Sequence, residues 1–254
     1  MAILFRKTGI LCYMAKCFYV FSSKEVGGGW FRHKYKFCRG YRMTTLWNKT
    51  LQEIRDTTAS PRPFATSVAI SLIAAVNGCA LLEMSMVLAV AKAGRKKQNN
   101  NSSRTNVSGI TARIIAIRAH SDRLAALADE DIRLFHSVIS SAEKSRDPGR
   151  QSANSQVAIF RSVRVPLQAI EEIIGVYPLI SMCAEVCPDE LLSDLPAASN
   201  LLEAAVNNLA IVVESNTRHL PKQIRANMLT SLNRLIKSAP KPKIAIDRFT
   251  PSPI

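Results

Sequence analysis

Apolar residues recur at helical spacing along five long segments of the chain, with charged and amide residues between them. Clusters of Pro, Gly, Ser and Asn separate these segments, as is typical of turns between helices. No segment of the sequence shows the strict alternation of a strand. The pattern predicts an all-α, up-and-down helical bundle, with a short amphipathic start at 46–58 and helices over 66–94, 108–145, 154–185, 197–219 and 222–238.

Two polar residues fall on the predicted inward faces of these helices. Asp131 takes a core position on the heptad-like seam of the second helix. Burying an ionised carboxylate is costly unless it is paired. Asp131 is therefore either part of a buried salt bridge, with Arg113 or Arg118 from another turn or another protomer, or a site acid. Asn216 lies on the seam of the fourth helix, where it either bonds a neighbouring helix or contacts a ligand.

The first long helix is the most apolar segment. Residues 68–91 contain one charged residue, Glu83, and are long enough to cross a bilayer. However, Asn77 and Glu83 lie near the middle, where polar groups are costly in lipid. A helix surrounded by others in a soluble bundle is also apolar all round. We therefore expect one long central apolar helix and no membrane span.

The net charge of +15 is concentrated near the start of the chain. Residues 1–42 carry nine basic residues and one acidic residue, and they lack helical periodicity. We predict a basic, aromatic extension outside the fold at 1–42, a helical domain at 43–238 and an extended Pro-rich tail at 239–254. A membrane-surface or nucleic-acid arm remains the alternative for 1–42. The moderately basic body lacks interleaved aromatic residues, so we expect no nucleic-acid partner.

Six cysteines show no disulfide framework, which favours a reducing cytoplasm. Cys183 and Cys187 share a helical face, but two thiols without a nearby His do not make a zinc site. We expect small core residues here and no metal.

Three segments, in this order and spacing, resemble the cyclodeaminase/cyclohydrolase family over about residues 46–220. "LADEDIRLFHSVI" (127–139) matches the family's acidic block with its aromatic residue, and "VPLQAIEEI" (165–173) carries its helix-breaking Pro. "LLSDLPAASNLLEAAVNNLAIVVESN" (191–216) matches its Ser-Asp turn, Ala-rich helix and terminal Asn. The family includes formiminotetrahydrofolate cyclodeaminases and methenyltetrahydrofolate cyclohydrolases.

The resemblance implies a helical bundle, commonly a homodimer, that holds a folate partly between subunits. It implies water addition to the methenyl bridge of tetrahydrofolate, giving 10-formyltetrahydrofolate, with no cofactor beyond tetrahydrofolate or a related pterin as substrate carrier. Cyclohydrolase is preferred to cyclodeaminase because the sequence carries no formiminotransferase domain. The family's Pro-Thr-Pro-Gly-Gly-Gly-Ser loop is replaced by 61–67, which has no glycine. A non-catalytic helical dimer that binds a pterin or a protein is therefore the alternative.

The resemblance also indicates the site residues. Asp194 stands in the Ser-Asp turn, where the family's acid transfers protons, although its position before Pro196 is also that of a helix cap. Asp131 is the second predicted catalytic acid. The basic end of the first helix would either attract the folate glutamate tail or simply complement the helix dipole; its residues are Lys92, Arg95 and Lys96. The other predicted ligand contacts are Pro63, Phe64, Ala65, Thr66, Ser67, Ser193 and Asn216.

Overall fold

The computed structural model describes residues 45–60, 64–96, 103–144, 153–191 and 193–240. The predicted extension at 1–42 and all but the first two residues of the predicted tail lie outside these ranges. A 3₁₀ turn at Leu46–Asn48 opens the described part, and a second lies at Asp189–Leu191. The helices are α1 (Leu51–Thr58), α2 (Ser67–Lys96), α3 (Ser103–Lys144), α4 (Ala153–Ala184), α5 (Asp194–Thr217) and α6 (Lys222–Ser238).

All regular structure in these ranges is helical, which confirms the all-α prediction. The bounds of α6 agree with the predicted segment at both ends, whereas α3 begins five residues before its predicted start at 108. Helix α4 contains Pro166 and Pro178 and continues through both.

Helix α2 lies at the centre of the bundle. It packs mainly against α3 and α5, while α4 closes the other side by packing against the same two helices. Helix α6 contacts α4 and α5. The predicted inward positions of α3, α4 and α5 supply the core, with examples in the fully buried Ile117, Leu124, Ile170, Leu202 and Leu209.

Local hydrogen bonds fix where the first helices begin. Thr50 and Glu53 form a reciprocal capping box at α1, with the Thr50 hydroxyl accepting from the Glu53 amide at 3.1 Å. At α2, the Thr66 hydroxyl oxygen lies 3.4 Å from the Ala69 amide nitrogen, and the Thr66 carbonyl accepts from Ile70. Thr66 therefore caps the central helix.

Two described helical segments, Ser67–Lys92 and Val157–Ala184, are long and apolar enough to cross a membrane. Both also contribute buried residues to the common core, such as Leu72 and Leu82 from α2 and Ile173 and Ile180 from α4. The core helices of a soluble bundle have the same length and composition. These two properties alone therefore do not make either helix a membrane span.

Candidate functional site

A hydrogen bond between α2 and α3 joins the predicted ligand loop to a predicted catalytic acid. The Thr66 hydroxyl donates to Oδ2 of Asp131, whose residue surface is only 7% exposed. Because the same hydroxyl oxygen faces the Ala69 amide, its proton is directed to the carboxyl group. The N-terminus of α2 thus holds the Asp131 side chain in one orientation.

Burial raises the pKa of Asp131 above the ordinary value for aspartate. The hydrogen bonds from Thr66 and from the Ala69 backbone act in the opposite direction but do not cancel the effect of burial. Asp131 therefore holds its proton more tightly than an exposed aspartate, which is the property expected of a group that accepts and returns protons.

Within one chain, Asp131 forms no salt bridge with Arg113 or Arg118. Arg118 donates from Nε to Oε1 of Glu83 at 2.6 Å. Arg113 lies 3.9 Å from Glu185 and donates to a backbone carbonyl of α4. Both arginines therefore have other acidic partners, and Asp131 is bound by a hydroxyl.

The loop that replaces the family's glycines is filled by its own side chains. The Phe64 ring lies 5.6 Å from the His136 ring, centroid to centroid, and Lys49 Nζ lies 4.5 Å from the Phe64 centroid. Ala65 is buried in the core, whereas Ser67 is exposed. Pro63 lies outside the described residues. At the positions of two family glycines, the chain therefore places an aromatic ring and a buried methyl group.

Three residues beside this loop were not predicted from the sequence. Lys49 and His136 contact Phe64, and Asp129 Oδ1 accepts from the Leu46 amide at 2.8 Å. Asp129 lies two residues before Asp131 in the same acidic block, and this short separation is the sequence signal from which a role for Asp129 could have been predicted. The Phe64–His136 contact joins distant parts of the chain and has no local sequence signal.

Asn216 forms a helix–helix hydrogen bond, one of the two predicted roles. Its Nδ2 donates to the Ser162 carbonyl of α4 at 3.0 Å. Helix α4 runs antiparallel to α3, because Glu172 lies beside His120 and Met182 lies beside Arg113. Ser162 is ten residues before Glu172 on α4, and Asp131 is eleven residues after His120 on α3, so the two residues lie at about the same level. Asn216, which bonds Ser162, therefore lies at the same end of the bundle as Asp131. We call this the Thr66 end.

The other predicted residues lie at the opposite end, which we call the Asp194 end. Asp194 is half-buried in the first turn of α5, and Ser193 before it is exposed and forms no side-chain cap. Lys92 at the end of α2 forms an ion pair with Glu190. The side chains of Arg95 and Lys96 lie outside the described set. At 1.5 Å per residue, Asp194 and Asn216 are about 33 Å apart along α5, so one chain does not bring the two groups together.

A second polar cluster lies between α3 and α4. Glu172 Oε2 is 2.7 Å from both His120 Nδ1 and Arg123 Nε, and the His120 ring packs against Gly175. A Cβ atom at Gly175 would stand 2.6 Å from His120 Cε1, so a larger residue at this position requires the His120 ring to move.

Cys79 and Cys183 are buried free thiols. Burial raises the pKa of Cys79 and of Cys183 to about 12, which keeps both protonated and unreactive at neutral pH. Within the described ranges, no group of three His, Cys, Asp or Glu side chains has the arrangement of a metal site.

The structural class is an antiparallel α-helical bundle. A buried carboxyl group, that of Asp131 on α3, lies against the start of the central helix. The sequence profile of the formiminotransferase-cyclodeaminase family matches residues 50–233, and the chain belongs to this family. The family resemblance carried by the three sequence segments is thereby confirmed.

A solved structure shares the fold. It is the formiminotetrahydrofolate cyclodeaminase from Thermotoga maritima, which aligns with a TM-score of 0.61 and 22% sequence identity over 75% of this chain and 90% of that chain. The comparison with curated proteins found no match.

Proposed function

We propose that the chain is a methenyltetrahydrofolate cyclohydrolase. Such an enzyme adds water to the methenyl bridge of methenyltetrahydrofolate and gives 10-formyltetrahydrofolate. The family membership supports an activity on one-carbon folates. The observation that carries the proposal is Asp131, a buried carboxyl group held by Thr66 at the position of the family's ligand loop.

The reaction needs a group that both accepts and supplies a proton. Water adds to the cationic bridge carbon and loses one proton. The carbon–nitrogen bond to N5 then breaks as N5 takes up a proton and the carbinol oxygen loses its remaining proton to form the formyl group, so one proton is released to solvent in each turnover. Asp131 is suited to accept the first proton and to supply the proton for N5, because burial raises its pKa above the ordinary value for aspartate. Thr66 is a positioning residue that keeps Oδ2 in place.

The test is the absorbance of methenyltetrahydrofolate incubated with the full-length protein. We expect loss of absorbance above the buffer rate and a decrease on the order of 10²-fold or more for Asp131→Asn. Asp122→Asn, an exposed aspartate on the same helix, is the matched control and should keep the activity. A wild-type rate equal to that of buffer excludes the proposal.

The filled loop favours a second candidate, a non-catalytic member that binds a pterin or a protein. Phe64 and Ala65 occupy the positions of family glycines, and Asp131 already bonds the start of α2. Calorimetry that shows folate binding without turnover by the full chain supports this candidate. If the loop excludes the ligand, the double substitution of Phe64→Gly with Ala65→Gly should tighten folate binding; unchanged affinity argues against exclusion by the loop.

Cyclodeaminase activity is the remaining alternative within the family. The same protein incubated with formiminotetrahydrofolate should then release ammonia, measured by a coupled assay.

We expect a reducing, cytoplasmic location, because the six cysteines of the sequence show no disulfide framework. Cell fractionation tests that expectation, and recovery outside the cytoplasm contradicts it.

A further inference from the structure

Pro166 removes the usual hydrogen-bond partner of one backbone carbonyl in α4. Each carbonyl of an α-helix accepts from the amide four residues later, and proline has no amide hydrogen. Pro166 lies buried inside α4, and the carbonyl four residues before it is that of the half-buried Ser162. The Ser162 hydroxyl donates to the Ile159 carbonyl at 2.7 Å, a bond that favours a bend in the helix. The Ser162 carbonyl therefore needs a donor from outside α4.

Asn216 supplies that donor from another helix. Its Nδ2 donates to the Ser162 carbonyl at 3.0 Å, so an amide of α5 takes the place of the amide hydrogen that Pro166 lacks. Asn216 is itself held in the last turn of α5, because its carbonyl accepts from the His219 amide at 3.2 Å and the next residue, Thr217, is fully buried. The bond therefore joins the end of α5 to the point where α4 is interrupted.

The second proline of α4 lies in a different environment. Pro178 frees the carbonyl of Ile174, but Pro178 and the neighbouring Gly175 are exposed. Water can therefore pair with that carbonyl. A donor from another helix is required at the buried proline, Pro166, and not at the exposed one.

The part of α4 that precedes Pro166 lies beside the proposed site. Ser162 is at about the level of Asp131, so residues 153–161 run beside the part of α3 that follows Asp131 and reaches Phe64 through His136. Sharp kinks in helices, of roughly 20° or more, occur mostly at proline. A change of roughly 20° at Pro166 would move the start of α4, about 20 Å away, by about 7 Å.

We propose that Asn216 is a positioning residue for the site and acts through Pro166. The proline removes the α4 hydrogen bond at Ser162, and the Asn216 amide replaces it from α5. This bond fixes the direction of the first part of α4 beside Asp131. The effect on catalysis rests on the proposed function, whereas the pairing of Asn216 with Pro166 does not.

A double-mutant cycle on the full-length protein tests the pairing without an activity assay. Asn216→Ala should lower the Tm by on the order of 5 °C, because the Ser162 carbonyl is left without a donor. In a Pro166→Ala background the restored amide bonds this carbonyl, and Asn216→Ala should lower the Tm much less. In a Pro178→Ala background, the matched control, Asn216→Ala should keep its full effect.

Differential scanning calorimetry measures the cycle. An equal effect of Asn216→Ala in the wild-type and Pro166→Ala backgrounds overturns the pairing. If Asn216→Ala does not fold alone, a folded double variant with Pro166→Ala supports the pairing, and a double variant that also fails to fold overturns it.

Steady-state kinetics with methenyltetrahydrofolate test the positioning role. Pro166→Ala restores the helical amide but removes the cause of the bend, so the folded variant should show a KM raised several-fold, whereas Pro178→Ala should keep the wild-type KM. An unchanged KM in folded Pro166→Ala overturns the positioning role. If the wild type does not turn over, the dissociation constant of folate from calorimetry is compared in the same way. A wild type that neither binds nor reacts rejects the proposed function and the positioning role together, and the Tm cycle still decides the pairing.

Discussion

Thr66, just before α2, donates a hydrogen bond from its hydroxyl group to Asp131 on α3. This bond lowers the pKa of the carboxyl group, but burial has the larger effect and raises it. The ionised form of Asp131 is therefore unfavourable in the folded chain. Because folded Asp131 binds its proton more tightly than unfolded Asp131, its contribution to stability is fully present below the unfolded pKa. It is lost as the pH rises through the folded pKa.

Asp131→Asn should therefore stabilise the protein at neutral pH while it removes activity. Asparagine is uncharged and keeps an oxygen that accepts from Thr66. The increase in Tm over wild type should be largest at pH 7 and should diminish as the pH falls toward about 4, near the pKa of an unfolded aspartate. Differential scanning calorimetry across this range measures it. A variant less stable than wild type at pH 7 would show that the carboxylate stabilises the fold.

Gly175 leaves room for the His120 ring between α3 and α4. Gly175→Ala should lower the free energy of unfolding by up to about 2 kcal/mol. Overpacking costs about 1–3 kcal/mol because the new methyl group displaces the imidazole ring from Glu172, and helix propensity offsets about 0.5–1 kcal/mol of that cost. Gly109→Ala is the control, since a Cβ there meets nothing within 4 Å. Helix propensity predicts that Gly109→Ala stabilises by about 0.5–1 kcal/mol.

Urea denaturation of the two glycine variants measures these changes. In a His120→Ala background, Gly175→Ala should cost little stability, because the smaller side chain makes room for the methyl group. Equal effects of the two glycine substitutions would mean that the contact with His120 does not determine the stability.

Phe64 should stabilise the start of α2 through its contacts with His136 and Lys49. Phe64→Ala removes a half-buried ring and should cost about 2 kcal/mol, roughly half the value for a fully buried Phe. Phe64→Leu keeps apolar contact but loses the cation–π interaction with Lys49, which is worth about 0.5–1 kcal/mol at an exposed site. Thermal unfolding ranks the three proteins; a Phe64→Ala protein as stable as wild type contradicts a packing role.

Local periodicity was sufficient to predict the helices and the burial of Asp131. The bounds of α6 and the buried apolar faces of the other helices can be predicted from the spacing of apolar side chains within each helix. The partner of Asp131 was not predictable in this way, because Thr66 lies 65 residues away and the contact depends on how α2 and α3 pack. The separation of Asp194 from Asn216 was predictable, since both lie on one predicted helix and helical rise fixes their distance.

The separation of Asp131 and Asp194 within one chain gives a prediction that joins the proposed activity to the homodimer expected from the family resemblance. If each site uses Asp131 from one chain and Asp194 from its partner, both Asp131→Asn and Asp194→Asn should be inactive as pure proteins. When the two variants exchange subunits, about one half of the dimers contain one chain of each kind. In such a mixed dimer, two-fold symmetry places both substituted residues in one site and leaves the second site with both native aspartates. The activity should recover to about one quarter of wild type. Full activity of pure Asp194→Asn would limit the chemistry to the Thr66 end, and a mixture without activity would exclude a shared site.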